Sequence, residues 1–365
     1  MTAEPGRPAP PPCVVCIPAR NEAERLPRLL ASLAAQAGVS VRAPLRVVVL
    51  ANSCTDGTVA AVREVEASGI LATLALRLIA VELTGAEAHV GTARRMALDA
   101  GADWLAADGI PDGILLTTDA DARLPANWVA ANLQALESAD VVGGRLVIDE
   151  DDGAADPELA ALHARIERYW SGVRRLEDLL DPPPHDPAPR HGDHTGASLA
   201  VPAALYRAVG GLPPLPCGED NALVGLLRAH GARLRHCPDV HVMVSTRHQG
   251  RVDGGMASEM ARRARVLGGE AYLLPEAGHW QALILRRAAL RRVFHLPSPA
   301  RAAACARLGL GADDLAAVGD CPNDIAFVER ADRILDSRSP PARECPLDQA
   351  LADLDTLARA LRDAA

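Results

Sequence analysis

From residue 13 to about 147, short apolar runs rich in valine, isoleucine and leucine alternate with longer segments whose apolar residues recur at helical spacing. That alternation predicts βαβ units and a mostly parallel sheet. Strands are expected near Cys13 to Pro18, Arg46 to Ala51, Ala75 to Val81, Gly113 to Thr118 and Asp140 to Ile148. Helices near Glu22 to Ala37, Asp56 to Ala67, Gly91 to Ala107 and Pro125 to Ser138 separate them. An acidic turn, Asp149 to Asp152, then leads into a helix over Pro157 to Leu180. The proline-crowded run Asp181 to Arg190 reads as a loop, because proline lacks the N–H that helices and central strands need. A further αβ section covers His194 to Arg247, and arginine-rich amphipathic helices are expected from about Gly255 to Asp363.

Composition narrows the class. At 365 residues and 49% apolar content the chain can bury a large core. A net charge of −9 argues against nucleic acid, whose phosphates require a basic stripe, and 2% aromatic content offers no stacking platform. All 38 basic residues are arginine. No apolar run approaches the ~20 residues of a membrane helix, and the proline-rich stretch Met1 to Pro12 has no signal-peptide core. A cytoplasmic protein without a transmembrane segment is expected, with the basic stretch Arg286 to Arg301 open to peripheral membrane contact. The eight cysteines are scattered through apolar segments, and the pair Cys13 and Cys16 lies inside a strand-like run, which suits core thiols better than redox or zinc chemistry.

The most informative stretch is Ile114 to Asp121, an apolar run ending in two carboxylates one residue apart, Asp119 and Asp121. Acids at the C-terminal edge of a buried strand lie where open α/β sheets bind ligands, and two of them can share a divalent cation carrying a diphosphate. Helix capping near Pro125 is the competing role. Three further polar turns fall at strand ends or helix starts: Pro18-Ala19-Arg20-Asn21-Glu22, Asn52-Ser53-Cys54-Thr55-Asp56-Gly57-Thr58 and Gly91-Thr92-Ala93-Arg94-Arg95. All would converge on one edge of a parallel sheet.

In order and spacing these motifs resemble glycosyltransferase family 2 proteins with their GT-A fold. The resemblance continues through Gly196 to Pro202, Val209-Gly210-Gly211, Gly218-Glu219-Asp220 and Arg247 to Gly255, covering roughly residues 13 to 255. It implies a flexible N-terminus over 1–12 and a GT-A domain over 13–255, of which 13–147 bind the nucleotide-sugar and 148–255 the acceptor. Residues 256–365 would be a helical C-terminal extension.

The same resemblance implies a metal-dependent enzyme that moves a sugar from a nucleotide-diphosphate donor to an acceptor hydroxyl on a small molecule, glycan or lipid-linked molecule, with inversion as the default. Asp121 would ligate Mn²⁺ or Mg²⁺, and His241 is a further candidate ligand, with His248 behind it. Asp119 and Ala120 would contact the ribose or the metal's water shell, while Pro18, Ala19, Arg20, Glu22 and Asn52 would form the nucleotide pocket. Arg94, or failing it Arg95, would neutralise diphosphate charge, as would Arg251 in a glycine-rich lid. Asp220, with Glu219 beside it, would be the general base.

Two features depart from this pattern. The family often has tyrosine where this chain has Arg20, and an aspartate where it has Ala51 or Asn52; Arg20 stacking on a base and Asn52 bonding a pyrimidine edge are the substitutes. Asp56 and Thr55 are expected to cap the following helix. The run Val318-Gly319-Asp320-Cys321-Pro322-Asn323-Asp324 looks like a phosphatase Mg²⁺ loop, but without the matching nucleophile motif it reads as chance. Alternatives to the inverting enzyme are a retaining one, and a nucleotide-sugar-binding protein without turnover.

Overall fold

A computed structural model describes residues 12–149, 156–244 and 256–364. The chain divides into two compact units, one of residues 1–153, 193–224 and 234–258, the other of 154–192, 225–233 and 259–365.

The first unit is built on a seven-stranded sheet of β1 (Cys13–Ala19), β2 (Leu45–Asn52), β3 (Leu74–Val81), β4 (Ile114–Thr117), β5 (Val141–Ile148), β6 (Leu199–Pro202) and β7 (Leu234–Val244). Its order is β3-β2-β1-β4-β6-β5-β7. β1 pairs in parallel with β2 and β4, β2 with β3, and β5 with β7. β6 is antiparallel to both β4 and β5. Every residue of β1 and β2 is buried, which explains why these strands are continuous apolar runs instead of alternating ones. The order reverses between β1 and β4, and a crevice forms at such a switch point beyond the strands' carboxyl ends.

Helices α1 (Leu26–Ala34), α2 (Thr58–Ala67), α3 (Val90–Ala107), α4 (Trp128–Ala135) and α6 (Ala203–Ala208) flank the sheet strands in sequence. α1 is shorter than its periodicity suggests. Glu22 to Arg25 form a turn in which the Glu22 carbonyl accepts from Leu26 N, and proline occupies the first helical turn. α4 is trimmed likewise, since the Pro125 carbonyl caps a turn to Trp128 N. α3 lies tight on β1 because Gly101 has no side chain: a Cβ there would stand 2.5 Å from Cys16 Sγ. Cys13 and Cys16 are fully buried core thiols, and burial pushes the Cys13 thiol up to about 12. Trp128, also fully buried, donates its indole N–H to Ser198 Oγ at 3.0 Å.

The second unit is helical. It contains α5 (Pro157–Leu180), most of α8 (Met256–Leu267), α9 (Ala277–Phe294), α10 (Ser298–Arg307), α11 (Ala312–Val318), α12 (Asp324–Ser337) and α13 (Leu347–Asp363). A two-stranded antiparallel ribbon joins β8 (Leu273–Pro275) to β9 (Glu344–Pro346). α5 begins where expected: Asp156 accepts hydrogen bonds from Glu158 N and Leu159 N, and Pro157 takes the first position. Arg190, at the end of the proline-crowded loop, has a side chain only 3% exposed and is paired with Glu177, Asp178 and Asp186. Among the described residues no helix is long and apolar enough to cross a membrane. Arg286, Arg287 and Arg291 of the basic stretch pair with acids of this same unit.

Candidate active site

At the carboxyl edge of β1 and β2, two turns are laced together. Asn21 and Ser53, the only non-glycine residues with positive φ among the described residues (53° and 46°), occupy the ends of these strands. Asn21 Oδ1 accepts from Thr55 N at 2.7 Å, Asp56 Oδ2 accepts from Ala23 N at 3.1 Å, and Thr58 Oγ1 accepts from Glu22 N at 2.9 Å. Asp56 also accepts from the N–H and hydroxyl of Thr58; desolvation pushes its carboxyl up, but these bonds and the one from Ala23 N together hold it below the ordinary value. Asp56 thus caps the start of α2, as expected, and binds the first turn as well. Asn52 is 2% exposed and accepts from Ser53 Oγ. Pro18, Ala19 and Glu22 are buried, whereas Arg20 is exposed and donates to the Ala88 carbonyl.

One cluster gathers the acidic motifs. Arg94, on the first turns of α3, is 3% exposed. Its Nη2 donates to Asp119 Oδ1 at 2.6 Å and its Nε to Glu219 Oε1 at 3.1 Å. Its Nη1 donates to Thr117 Oγ1 at 2.9 Å and to the Gly196 carbonyl at 2.8 Å. Gly196 is the glycine this arrangement requires, because a Cβ there would lie 2.4 Å from Arg94 Cζ. Burial opposes the Arg94 charge, yet the carboxylates of Asp119 and Glu219 hold the guanidinium above its ordinary value. Burial pushes the Glu219 carboxyl up, and the Arg94 charge offsets only part of that shift.

Glu219 opens α7 (Glu219–Ala229), and its neighbour Asp220 accepts from Gly196 N through Oδ2 at 2.8 Å. Asp220 Oδ1 accepts from Asn221 N. The end of β4 and the start of α7, 125 residues from Arg94, therefore meet in one place. Thr118, fully buried, has no hydrogen-bond partner for its hydroxyl among the described residues, and neither has the Thr195 hydroxyl. Orphaned buried hydroxyls beside Asp119 and Gly196 are the kind of exception that concentrates at functional sites.

Arg95 reaches elsewhere, donating to the carbonyls of Leu212 and Gly210. Gly91 allows α3 to approach that loop, since a Cβ there would sit 2.0 Å from the Leu215 carbonyl oxygen. Within the Asp119–Asp121 motif, Ala120 is buried and Asp121 half-buried. Arg123 then anchors the chain with a two-pronged pair to Asp149 and a reciprocal backbone bridge to Met243.

That bridge bears on His241. The segments run antiparallel, so Asp121 and His241, each two residues ahead of its bridged residue, lie on opposite sides of the bridge. His241 is half-buried on β7, flanked by fully buried Val240 and Val242 on the other face, and is in register with Arg145 of β5. His236 of β7 instead meets His194, ring nitrogen to ring nitrogen, at 3.1 Å. Among the described residues no three His, Cys, Asp or Glu side chains gather to hold a metal by themselves. Mg²⁺-type sites commonly use one or two carboxylates and complete their shell with substrate phosphates and water, a donor set that Asp119 and Asp121 fit. The Asp119 side chain remains 40% exposed beside Arg94, so an oxygen is reachable. Arg251, His248 and the glycine-rich Arg247 to Gly255 segment lie outside the described residues.

The phosphatase-like run of the second unit is a helix start. Asn323 caps α12 by accepting from Ala326 N at 3.0 Å, and Asp324 pairs with Arg291. Sequence reasoning missed the convergence on Arg94 and the roles of Thr117 and Gly196; the arginine was visible, but its partners are brought together only by tertiary folding.

Residues 14–184 match the family model described as Glycosyl transferase family 2. The comparison with curated proteins gave no match. Among solved structures, the chain is similar to mannosyltransferase PcManGT from Pyrobaculum calidifontis in complex with GDP-Man and Mn²⁺, at 20% identity and TM-score 0.45, over 99% of this chain and 90% of that one. It is similar to S. aureus TarS 1–349 in complex with UDP-GlcNAc, at 15% identity and TM-score 0.46, over 95% and 92%. Glucosyl-3-phosphoglycerate synthase from Mycobacterium tuberculosis in complex with UDP is similar at 15% identity and TM-score 0.36, over 70% and 77%.

Proposed function

Since this chain is a family 2 glycosyltransferase by the domain it carries over residues 14–184, we propose that it moves a sugar from a nucleotide-diphosphate donor to an acceptor hydroxyl, with inversion and with a divalent cation, Mn²⁺ or Mg²⁺. The observation that carries this reading is the meeting of Asp119 and the Glu219–Asp220 pair around Arg94. In this reading Asp119, with Asp121, would serve the donor, and the Glu219–Asp220 motif beside it the acceptor.

In this reading residues 13–147 supply the donor side. Asp121, with Asp119, would hold the cation, whose chemistry is to neutralise charge on the departing diphosphate. The laced turns after β1 and β2 would seat the nucleotide, with Asn52 and Arg20 in place of the usual base contacts.

Asp220 takes the proton of the acceptor hydroxyl as its oxygen attacks the anomeric carbon. The new C–O bond forms on the face opposite the breaking bond to the diphosphate oxygen, which leaves with the bonding electron pair. The Gly196 N–H holds Asp220 Oδ2 in place for this role.

A retaining mechanism is the second reading. What favours it is that each Asp220 oxygen already accepts a backbone N–H, which leaves fewer lone pairs for an incoming hydroxyl.

The test is a thermal-shift and nucleotide-release screen against UDP-, GDP- and dTDP-sugars, with Mn²⁺ and with EDTA. A metal-dependent shift with one nucleotide and release of that nucleotide are expected. No shift and no release with any donor would sink the reading. The anomeric configuration of the product decides between inversion and retention.

A further inference from the structure

We infer that Arg94 is a positioning residue that fixes the distance between the donor-side carboxylate Asp119 and the acceptor-side pair Glu219–Asp220, with Glu219 serving as its buried counter-ion and not as a proton acceptor. This rests on the proposed reading, in which Asp121 and Asp220 serve sugar transfer.

Four bonds from one guanidinium reach three separate segments: Thr117 and Asp119 at the end of β4, Gly196 ahead of β6, and Glu219 at the start of α7. Arginine's rigid planar fork suits this, whereas a lysine ammonium presents its donors from a single point on a flexible stem. Being 3% exposed and held on all three nitrogens, Arg94 has its guanidinium committed to protein groups.

A continuous path runs from Asp119 Oδ1 through Arg94 to the Gly196 carbonyl, and from the Gly196 N–H to Asp220 Oδ2. The same peptide residue is thus gripped by Arg94 on its oxygen and by Asp220 on its nitrogen. Glu219 is 5% exposed with one oxygen on Arg94, a placement that gives the cation a second negative partner in the interior.

A donor ligand and a positioning residue leave different kinetic traces. Removing a contact made equally in ground and transition states raises KM, whereas misplacing the reacting groups lowers kcat. In the full chain, Arg94→Lys keeps the charge and loses the fork; kcat is expected to fall about 10- to 100-fold with donor KM within about threefold. Arg94→Gln, which loses the charge as well as the fork, is expected to lower kcat further than Arg94→Lys. Glu219→Gln, which keeps an acceptor for Arg94 Nε but cannot take a proton, should lower kcat no more than Arg94→Lys does; loss of all turnover in a folded Glu219→Gln protein would make Glu219 the proton acceptor and overturn its assignment as counter-ion.

Thr117→Val removes one acceptor and no charge, so it carries the test if the Arg94 variants do not fold; the same split is expected at about 3- to 10-fold in kcat. A rise in donor KM of tenfold or more with kcat unchanged would make Arg94 a donor ligand and overturn the inference. So would an active wild type beside Thr117→Val and Arg94→Lys proteins with unmoved kcat. A wild type that releases no nucleotide from any sugar donor overturns the reading itself, and this inference with it.

Discussion

Asp220 and Gly196 are joined by a 2.8 Å hydrogen bond from the Gly196 N–H to Asp220 Oδ2, while the Gly196 carbonyl accepts from Arg94 at the same distance. One residue without a side chain therefore sits between the cation and the acid. Gly196→Ala would put a methyl 2.4 Å from Arg94 Cζ, an atom held by a network and unable to retreat. Turnover is expected to fall about 100-fold, the usual scale for an ångström of misplacement in catalytic groups. Steady-state kinetics with circular dichroism as a fold check measure this; an active Gly196→Ala enzyme would show that the contact has no catalytic weight.

Asp121→Asn should abolish metal-stimulated transfer by about 100-fold or more while leaving the melting temperature without ligand within a few degrees, since the residue is half-buried at a loop. Titration of Mn²⁺ against nucleotide release checks it. Unchanged Mn²⁺ dependence would remove Asp121 from the metal site.

Ser198→Ala leaves the indole N–H of fully buried Trp128 without its partner. An orphaned buried donor costs about 1–3 kcal/mol. A lowered denaturant midpoint with an unchanged m value is the expected result; a wild-type midpoint would mean that the indole finds another acceptor.

Gly91→Ala is a second steric test. Its Cβ would fall 2.0 Å from the Leu215 carbonyl oxygen, so α3 or the loop must shift. Overpacking of this kind costs about 1–3 kcal/mol, and chemical denaturation of the purified variant reads it directly.

In the second unit, hydrogen bonds from Arg338 first, and from the Gly311 N–H next, hold the Asp314 carboxyl down at about 2, below the ordinary carboxylate range. A depressed carboxyl contributes stability that is full above its unfolded value and lost as pH falls toward about 2. Melting curves from pH 5 down to pH 2 should therefore decline less steeply for Asp314→Asn than for wild type. Parallel curves would deny Asp314 any share in acid unfolding.

β1 and β2 were readable because buried parallel strands are largely apolar runs; β2, expected over Arg46 to Ala51, spans Leu45–Asn52. α5 was readable because Asp156 and Pro157 announce its start. β6 was not, since four residues of small and apolar side chains acquire meaning only by pairing antiparallel between β4 and β5. The acidic pair at the end of β4 stood out in the sequence, but the partners of Arg94 did not. A buried guanidinium and a surface one look alike in one dimension, and the difference here is made by Gly196 and Glu219, more than 100 residues downstream.

The lacing of Asn21 to Thr55 and of Asp56 to Ala23 has a consequence for how such a protein diversifies. Each turn completes the backbone hydrogen bonding of the other, so neither is an independent module. A graft that replaces the Pro18 to Glu22 turn alone would leave the Thr55 N–H without its acceptor wherever the incoming turn lacks a side-chain acceptor at position 21. The two loops act as one hydrogen-bonded unit, and a substitution in either changes which residues the other can carry without orphaning a backbone N–H.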